Sequence, residues 1–257
     1  MKVVIIGSGN VASVLGGLIK KANHEVVQVI GRDIDKAKAL ADKLNCDSGV
    51  FAKSLVKDAE LYLFAITDTS LYHLDQYIQL ENKLVVHTAG SVSKDVLKNI
   101  SGKYGIIYPL QSLVKNATEL PEIPLLIDAC NSNILGILQK FAKSLSNNIS
   151  IVSDEERLKY HVAAVLVSNF TNHLFAMADD FCIKEKVDFE KLYPLIDETI
   201  NRIKLHPPKS VQTGPAIRED IYTLGKHLQM LSAHPDLKYL YLKLSESILK
   251  LHQKKHV

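Results

Sequence analysis

The apolar residues in the first half of the chain alternate between two periods. Short, continuous apolar runs are typical of strands buried on both faces of a parallel sheet. Six such runs are "KVVII", "EVVQVI", "LYLFAI", "KLVVHTA", "YGIIYPL" and "IPLLIDA". Between them lie helical patterns, the clearest being Val11, Val14, Leu15, Leu18 and Ile19, then Ala37, Leu40, Ala41 and Leu44. With shorter helical stretches such as "SKDVLKNI", this alternation predicts a doubly wound, mostly parallel α/β domain over residues 1–152.

The second half of the chain has helical periods only. Ser153 and Glu156 form an S-x-x-E capping box that predicts the start of a long helix after "NISIVS". That helix is apolar over most of its circumference, so we expect it to be largely buried. A further helix is predicted to have an inner face of Leu192, Leu195, Ile196, Thr199 and Ile203. With "YTLGKHLQML" and "LKYLYLKLSESILKL", these segments predict an all-α domain over residues 153–257.

A glycine turn joins the first strand to the first helix in "GSGNVASVL". Gly7, Gly9 and Ala12 match the pattern G-x-G-x-x-[G/A] of dinucleotide-binding Rossmann domains. Gly7 permits a tight turn, Gly9 lets the backbone approach a pyrophosphate, and Ala12 allows close packing of helix on strand. The backbone N–H groups of Ser8, Asn10 and Val11 are then expected to bind the phosphates at the positive end of the helix.

The end of the second strand distinguishes NADP from NAD. Enzymes that use NAD usually carry an acid there, about 20 residues beyond the glycines, to bind the ribose 2′-hydroxyl. Here Gly31 occupies that place and Arg32 follows, which favours the 2′-phosphate of NADP. A shift of one residue would bring Asp33 to the site, although Asp33 is also suited to cap the next helix.

Two other strand ends carry small and polar residues where the nicotinamide half would lie. Thr67 and Thr88 are candidates to hydrogen-bond ribose or phosphate, whereas Asp68 and Ser91 equally suit helix caps. In the long helix, His161, Ser168 and Asn172 fall near one azimuth, with Asn169 to one side. These polar groups form either an internal network or the wall of a cleft.

A stiff loop in the second half, "HPPKSVQTGPAIRED", brings Thr213, Arg218 and Asp220 close together. Arg218 is a candidate clamp for a substrate carboxylate, with Asp220 orienting it. The alternative is a local ion pair that only holds the loop to the next helix.

Composition narrows the class of protein. The net charge of +3 is spread along the chain, so we expect no nucleic-acid partner, and no apolar run is long enough to cross a membrane. Three scattered cysteines and the lack of a signal peptide predict a cytoplasmic protein without disulfides. No cluster resembles a metal-binding motif, so no metal is expected.

Nearly the whole chain resembles a family of Rossmann-like proteins with a C-terminal domain called DUF2520, relatives of pyrroline-5-carboxylate reductase, ketopantoate reductase and 6-phosphogluconate dehydrogenase. The resemblance is carried by "GSGNVA", "VVHTAGSVS", "YPLQSL", "YHVAAVLVSNF" and "TGPAIRED…HLQML". It implies an NADP-binding domain, an all-α domain like that of 6-phosphogluconate dehydrogenase, an active cleft between them and a homodimer formed through the helices. The motif residues carried over by position are His161, Asn169, Thr213, Gly214, Pro215, Arg218, Asp220 and His227.

Two positions depart from the family pattern. Tyr108 stands where the family often has histidine before Pro-Leu-Gln, so no imidazole is available there. Glu219 stands where the family often has glycine between Arg and Asp, so the loop is expected to differ.

These observations favour an enzyme that reduces a C=O or C=N bond of a small carboxylated metabolite with NADPH, such as a keto acid or a cyclic imino acid. His161 is the candidate acid, Asn169 positions or polarises the substrate, and Arg218 with Asp220 binds its carboxylate. Two other functions stay open: a non-catalytic NADP-binding sensor, and a deazaflavin-linked NADP oxidoreductase.

Overall fold

The computed structural model describes residues 1–51, 54–115 and 121–253 of the 257-residue chain. These residues form two compact units, Met1–Asn169 and Phe170–Val257. The domain boundary predicted between residues 152 and 153 stays a prediction, and the helix that follows it is part of the first unit. None of the helices among the described residues is both long and apolar enough to span a membrane.

The first unit contains an eight-stranded sheet in the order β3-β2-β1-β4-β5-β6-β7-β8. All pairs of neighbouring strands are parallel except β6 and β7. The strands are β1 Lys2–Ile6, β2 Glu25–Gly31, β3 Asp47–Val50, β4 Leu61–Phe64, β5 Leu84–His87, β6 Lys103–Pro109, β7 Leu125–Ala129 and β8 Ile149–Ile151. The first six strands in this order have the arrangement of a dinucleotide-binding sheet, which confirms the predicted fold class.

Helices cover the sheet with the faces that the apolar periods predict. The α-helices of this unit are α1 Asn10–Lys21, α2 Ile34–Leu44, α3 Asp68–Leu71, α4 Ser132–Leu145 and α5 Asp154–Ala164. The four predicted residues of α2 are all buried, and α1 buries Val14, Leu15 and Ile19. The stretch "SKDVLKNI" contains only a short 3₁₀ turn, Lys94–Leu97. Helix α5 begins with the predicted capping box of Ser153 and Glu156.

After α5 the chain passes through a π-helical segment, Val165–Phe170. The second unit then consists of α6 Thr171–Glu185, α7 Tyr193–Leu205, α8 Ile221–Met230 and α9 Pro235–His252, with three 3₁₀ turns, Phe189–Leu192, Pro208–Val211 and Leu231–Ala233. The prediction of a helical second half is therefore confirmed.

Many apolar side chains on the helices after Ser153 are exposed in the single chain. Val167 is 74% exposed, and Leu195, on the predicted inner face of α7, is 63% exposed. The prediction that these faces are buried is therefore wrong for one copy of the chain. Helical periodicity identifies an apolar face, but a face is buried only where another surface covers it.

Candidate cofactor and active site

The glycine turn between β1 and α1 has the geometry that a bound phosphate needs. Gly7 has a φ of +128°, and a Cβ atom there would lie 2.1 Å from the carbonyl oxygen of Ala65. A Cβ atom at Gly9 would point into open space, so the backbone is accessible from that side. Helix α1 begins at the next residue without a side-chain hydrogen bond at its cap. Its first N–H groups therefore have no partner within the helix and suit an anion.

A cavity of about 710 Å³ opens beside this turn. Its walls include Gly7, Ser8, Gly9, Arg32 and Thr67, which are five of the predicted cofactor-binding residues. The side chains of Lys36, Phe51 and Tyr77 line it as well. The cavity thus combines backbone N–H groups, two cationic side chains and aromatic rings, which suits the adenosine and phosphate parts of a dinucleotide.

Asp33 is engaged as the cap of α2. Its carboxylate accepts hydrogen bonds from the backbone N–H groups of Asp35, at 3.1 Å, and Lys36, at 3.2 Å. The ammonium of Lys36 lies 3.2 Å from the same carboxylate. Gly31 is the last residue of β2, so the end of that strand carries no acid. Of the two roles that the sequence allows for Asp33, the structure shows the helix cap.

A second cavity, of about 320 Å³, shares Gly9 with the first. Asn10, Val11 and Thr88, the other predicted cofactor-binding residues, line it. His161 of α5 is also part of its wall, together with Asp68 and Gly90. The structure therefore brings the predicted acid to the same space as the glycine turn.

His161 is held by two groups that the sequence analysis did not assign. The hydroxyl of Tyr108 on β6 lies 2.9 Å from Nδ1 of His161, and the two rings meet edge to face. A Cβ atom at Gly90 would lie 2.6 Å from the same nitrogen. The imidazole thus packs against bare backbone, and residue 90 has to be glycine for the ring to sit there. The departure at Tyr108 therefore places a phenol in direct contact with His161.

Arg157, one helical turn before His161, fastens α5 to the loop after β5. The side chain is 1% exposed and donates to the carbonyl oxygens of Gly90, at 3.2 Å, and Val92, at 2.5 Å. It also forms an ion pair with Asp154 at 2.7 Å, and the same carboxylate accepts from the hydroxyl of Ser93. Burial alone would raise the pKa of Asp154, but these hydrogen bonds outweigh it and lower that pKa.

His87, a buried residue at the end of β5, also holds the loop after β5 by hydrogen bonds. Burial and the nearby guanidinium of Arg157 lower the pKa of His87 to about 4, so the imidazole is neutral at pH 7. Its Nδ1 accepts from the backbone N–H of Ala89, and its Nε2 lies 3.3 Å from the carbonyl oxygen of Ser93. A buried histidine and a buried arginine therefore fix the backbone against which His161 packs.

The other predicted catalytic residues lie on different elements. Asn169 is exposed in the π-helical segment. Because a π turn changes the residue spacing, the predicted alignment of His161 with Ser168 does not follow from α-helical geometry. Arg218 and Asp220 belong to the second unit, where Asp220 caps α8 by accepting from the backbone N–H and the hydroxyl of Thr223. Among the described residues, the ion pairs do not include one between Arg218 and Asp220.

Glu219, which stands where the family pattern often has glycine, adopts a backbone conformation that favours glycine. Its φ is +54°, in the left-handed region. The N–H of Glu219 donates to the carbonyl oxygen of Ala216, and that of Asp220 donates to the carbonyl oxygen of Pro215. A side chain in this left-handed conformation has a conformational cost on the order of 1 kcal/mol, and the predicted difference of the loop from the family pattern stays a prediction.

Two family models match the chain. Residues 2–90 match the model described as NADP oxidoreductase, coenzyme F420-dependent, and residues 123–248 match the domain of unknown function DUF2520. A solved "putative NADP oxidoreductase" from Bacteroides fragilis is 34% identical, with 97% of this chain and 98% of that one covered and a TM-score of 0.91. The chain belongs to this NADP oxidoreductase family. No curated protein matches it.

Two more distant structures share the fold of this NADP oxidoreductase. The 1-pyrroline-5-carboxylate reductase of Streptococcus pyogenes is 15% identical, with 97% of this chain and 98% of that one covered and a TM-score of 0.62. A reductive aminase from Aspergillus terreus, solved with NADPH, is 14% identical, with 97% of each chain covered and a TM-score of 0.70. The cofactor of the family is NADP. The open approach at Gly9, the uncapped start of α1 and the two cavities fit it.

Proposed function

We propose that this NADP oxidoreductase reduces a C=O or C=N bond of a small carboxylated metabolite, a keto acid or a cyclic imino acid. The observation that carries the proposal is the position of His161 in the wall of the cavity that Gly9 and Asn10 also line. A group able to donate a proton thus lines the same cavity as the helix N-terminus that we assign to the cofactor phosphates.

NADPH supplies the hydride. Negative charge then develops on the oxygen or nitrogen of the substrate, and His161 donates a proton to that atom. In the same proposal Asn169 orients the substrate, and Arg218, in the second unit, stays the predicted ligand of a carboxylate because a guanidinium forms two parallel hydrogen bonds with that group. Asp220, which caps α8, holds the start of that helix and with it the turn that carries Arg218.

The test is oxidation of NADPH by the purified protein in the presence of a panel of 2-keto acids and cyclic imino acids. Turnover of one member of the panel, with the reduced product found in equal amount, supports the proposal. Tight binding of NADPH without turnover of any keto or imino acid would instead indicate a sensor that uses the same cavities.

We expect Arg32→Ala to weaken NADPH binding by roughly 10- to 100-fold and to leave NADH binding nearly unchanged. The reason is that the guanidinium lines the larger cavity and we assign it to the 2′-phosphate, where a charge-assisted contact contributes about 1.5–3 kcal/mol. Isothermal titration with both cofactors measures the effect. Lys38→Ala is the matched control, since Lys38 is an exposed cation of α2 outside the lining of that cavity. Equal losses for both cofactors would contradict the assignment.

A second candidate function is hydride exchange between NADP and a deazaflavin. The description of the family model matched by residues 2–90, which names coenzyme F420, favours it. A yellow, fluorescent cofactor that co-purifies with the protein and is reduced by NADPH would support this function over the reduction of a metabolite.

We also propose that the protein is a cytoplasmic homodimer formed through its helices. Exposed apolar side chains such as Val167 and Leu195 support the dimer, and the free thiols of Cys46, Cys130 and Cys182 support a reducing compartment. We expect sedimentation equilibrium to give twice the chain mass of 28.6 kDa. Leu195→Asp is expected to give monomers, whereas Asp197→Ala on the same helix is not. A wild-type monomer at micromolar concentration would contradict this proposal.

A further inference from the structure

We propose that Tyr108 is a positioning and proton-relay residue, whose hydroxyl sets the tautomer of His161 and reloads it with a proton during reduction. This inference rests on the proposed function, in which His161 donates a proton to the substrate.

The geometry places the phenol and the imidazole in one hydrogen bond. Strand β6 carries Tyr108 and helix α5 carries His161, and the hydroxyl lies 2.9 Å from Nδ1. The ring centroids are 5.8 Å apart with an interplanar angle of 79°. Gly90 closes the same edge of the imidazole, since a Cβ atom there would lie 2.6 Å from Nδ1 and 2.8 Å from Cγ. Nε2 is on the opposite side of the ring, and we assign it to the cavity.

The hydrogen bond determines which nitrogen of a neutral His161 holds the proton. A neutral imidazole has one donor nitrogen and one acceptor nitrogen. The phenol is the stronger acid of the two neutral groups, so its O–H donates and Nδ1 accepts. The proton of the neutral ring then resides on Nε2, which is the nitrogen that we assign to the substrate side.

His161 gives its Nε2 proton to the substrate oxygen or nitrogen as the hydride reaches the substrate carbon. Nδ1 takes the proton of the Tyr108 hydroxyl, so the imidazole stays neutral and a phenolate is left. A proton from the solvent then enters at Nε2 and the proton on Nδ1 returns to the phenolate, which restores the phenol and the starting tautomer of His161. Burial is the largest cause of the raised pKa of the Tyr108 hydroxyl. The positive charge of Arg157 lowers this pKa, and the negative charge of Asp68 raises it. The phenol therefore stays protonated at and above neutral pH.

The charged and titratable groups around the pair come from α3, from β5 and from α5 itself. They are Asp68 at the start of α3, His87 at the end of β5, and Arg157 with Asp154 on α5. Arg157 is paired with Asp154, and Asp68 accepts a hydrogen bond from Ser91. His87 is neutral above pH 6 because its pKa is about 4, and the lowered pKa of Asp154 keeps that carboxylate charged there. Neither His87 nor Asp154 therefore alters the pH dependence of the pair in that range.

The first test needs no substrate. In protein labelled with ¹⁵N-histidine and saturated with NADP⁺, we expect the His161 signals at pH 8 to show a protonated Nε2 and an unprotonated Nδ1. In Tyr108→Phe, we expect a mixture of the two tautomers. Tyr104→Phe is the matched control, because Tyr104 lies on the same strand and donates to Asp95 instead. A proton on Nδ1 in the wild type, or an unchanged tautomer in Tyr108→Phe, would overturn the inference.

The second test uses the substrate found for the proposed function. We expect the wild-type kcat to be flat between pH 6 and pH 9, because the phenol keeps His161 supplied with a proton. The kcat of Tyr108→Phe is expected to fall up to tenfold per pH unit, because without the phenol His161 depends on protons from the solvent, whereas a merely structural role would lower kcat equally at every pH. Parallel profiles would overturn the relay. If no panel member is reduced, the proposed function fails, and the tautomer measurement still decides whether Tyr108 positions His161.

Discussion

Replacement of His161 by alanine is expected to lower kcat for reduction of the substrate by a factor of roughly 10² to 10⁴. The imidazole lies in the wall of the smaller cavity, and a positioned acid of this kind contributes that much to the rate. NADPH affinity should be nearly unchanged, because the residues assigned to the phosphates are on the glycine turn and not on α5. Single-turnover kinetics and a titration with NADPH measure the two quantities separately.

The control for this variant is His252→Ala. His252 is the last residue of α9 and lines neither of the two cavities described above, so this variant should change neither NADPH affinity nor kcat. A His161→Ala variant that loses NADPH affinity and kcat by the same factor would show that the imidazole binds the cofactor and is not the acid.

Arg157→Met is expected to lower the free energy of unfolding by about 3 kcal/mol, which is a large share of the stability of a typical domain. Methionine has a similar length but no donors, so the carbonyl oxygens of Gly90 and Val92 would be left without this partner, and the carboxylate of Asp154 would lose its ion pair. Unsatisfied buried acceptors each cost about 1–3 kcal/mol. Urea denaturation followed by circular dichroism measures the loss.

Arg202→Met provides the comparison at a solvent-exposed ion pair. Arg202 pairs with Glu198 one turn away on α7, at 2.8 Å, and both side chains are exposed. Pairs of this kind contribute about 0.3–0.5 kcal/mol, so this variant should be nearly as stable as the wild type. Equal effects of the two substitutions would mean that the buried guanidinium does not stabilise the loop after β5.

The parts of the fold that the sequence predicts are those with a local signal. Six apolar runs become strands, whereas β3, with the sequence "DSGV", and the three-residue β8 have no such run and were not predicted. The glycine motif predicts a phosphate-binding turn because that role depends on the backbone conformation at Gly7 and on the accessibility of Gly9, and the identities of neighbouring residues determine both.

The contacts around His161 have no local signal. Tyr108 and His161 are 53 residues apart, and only the packing of α5 beside β6 brings them together. Arg157 was not singled out because a charged side chain is usually exposed, and its burial depends on two carbonyl oxygens about 65 residues away. The spacing of Arg157 and His161, four residues apart on one helix, is the one sequence feature that indicates a shared face. The apolar face of α7 likewise cannot be assigned as buried from its own periodicity, because burial requires a second surface that covers it.

The attachment of α5 to the loop after β5 has a consequence for recombination between relatives. A chimera that joins this chain to another member of its family at residue 152 would combine Gly90, Val92 and Ser93 from one parent with a helix from the other. Unless that helix also had an arginine and an aspartate at the positions of Arg157 and Asp154, the hydrogen bonds between the helix and the loop would be lost. A crossover after residue 169 keeps both sides of this contact together, so such chimeras should be recovered as folded protein far more often.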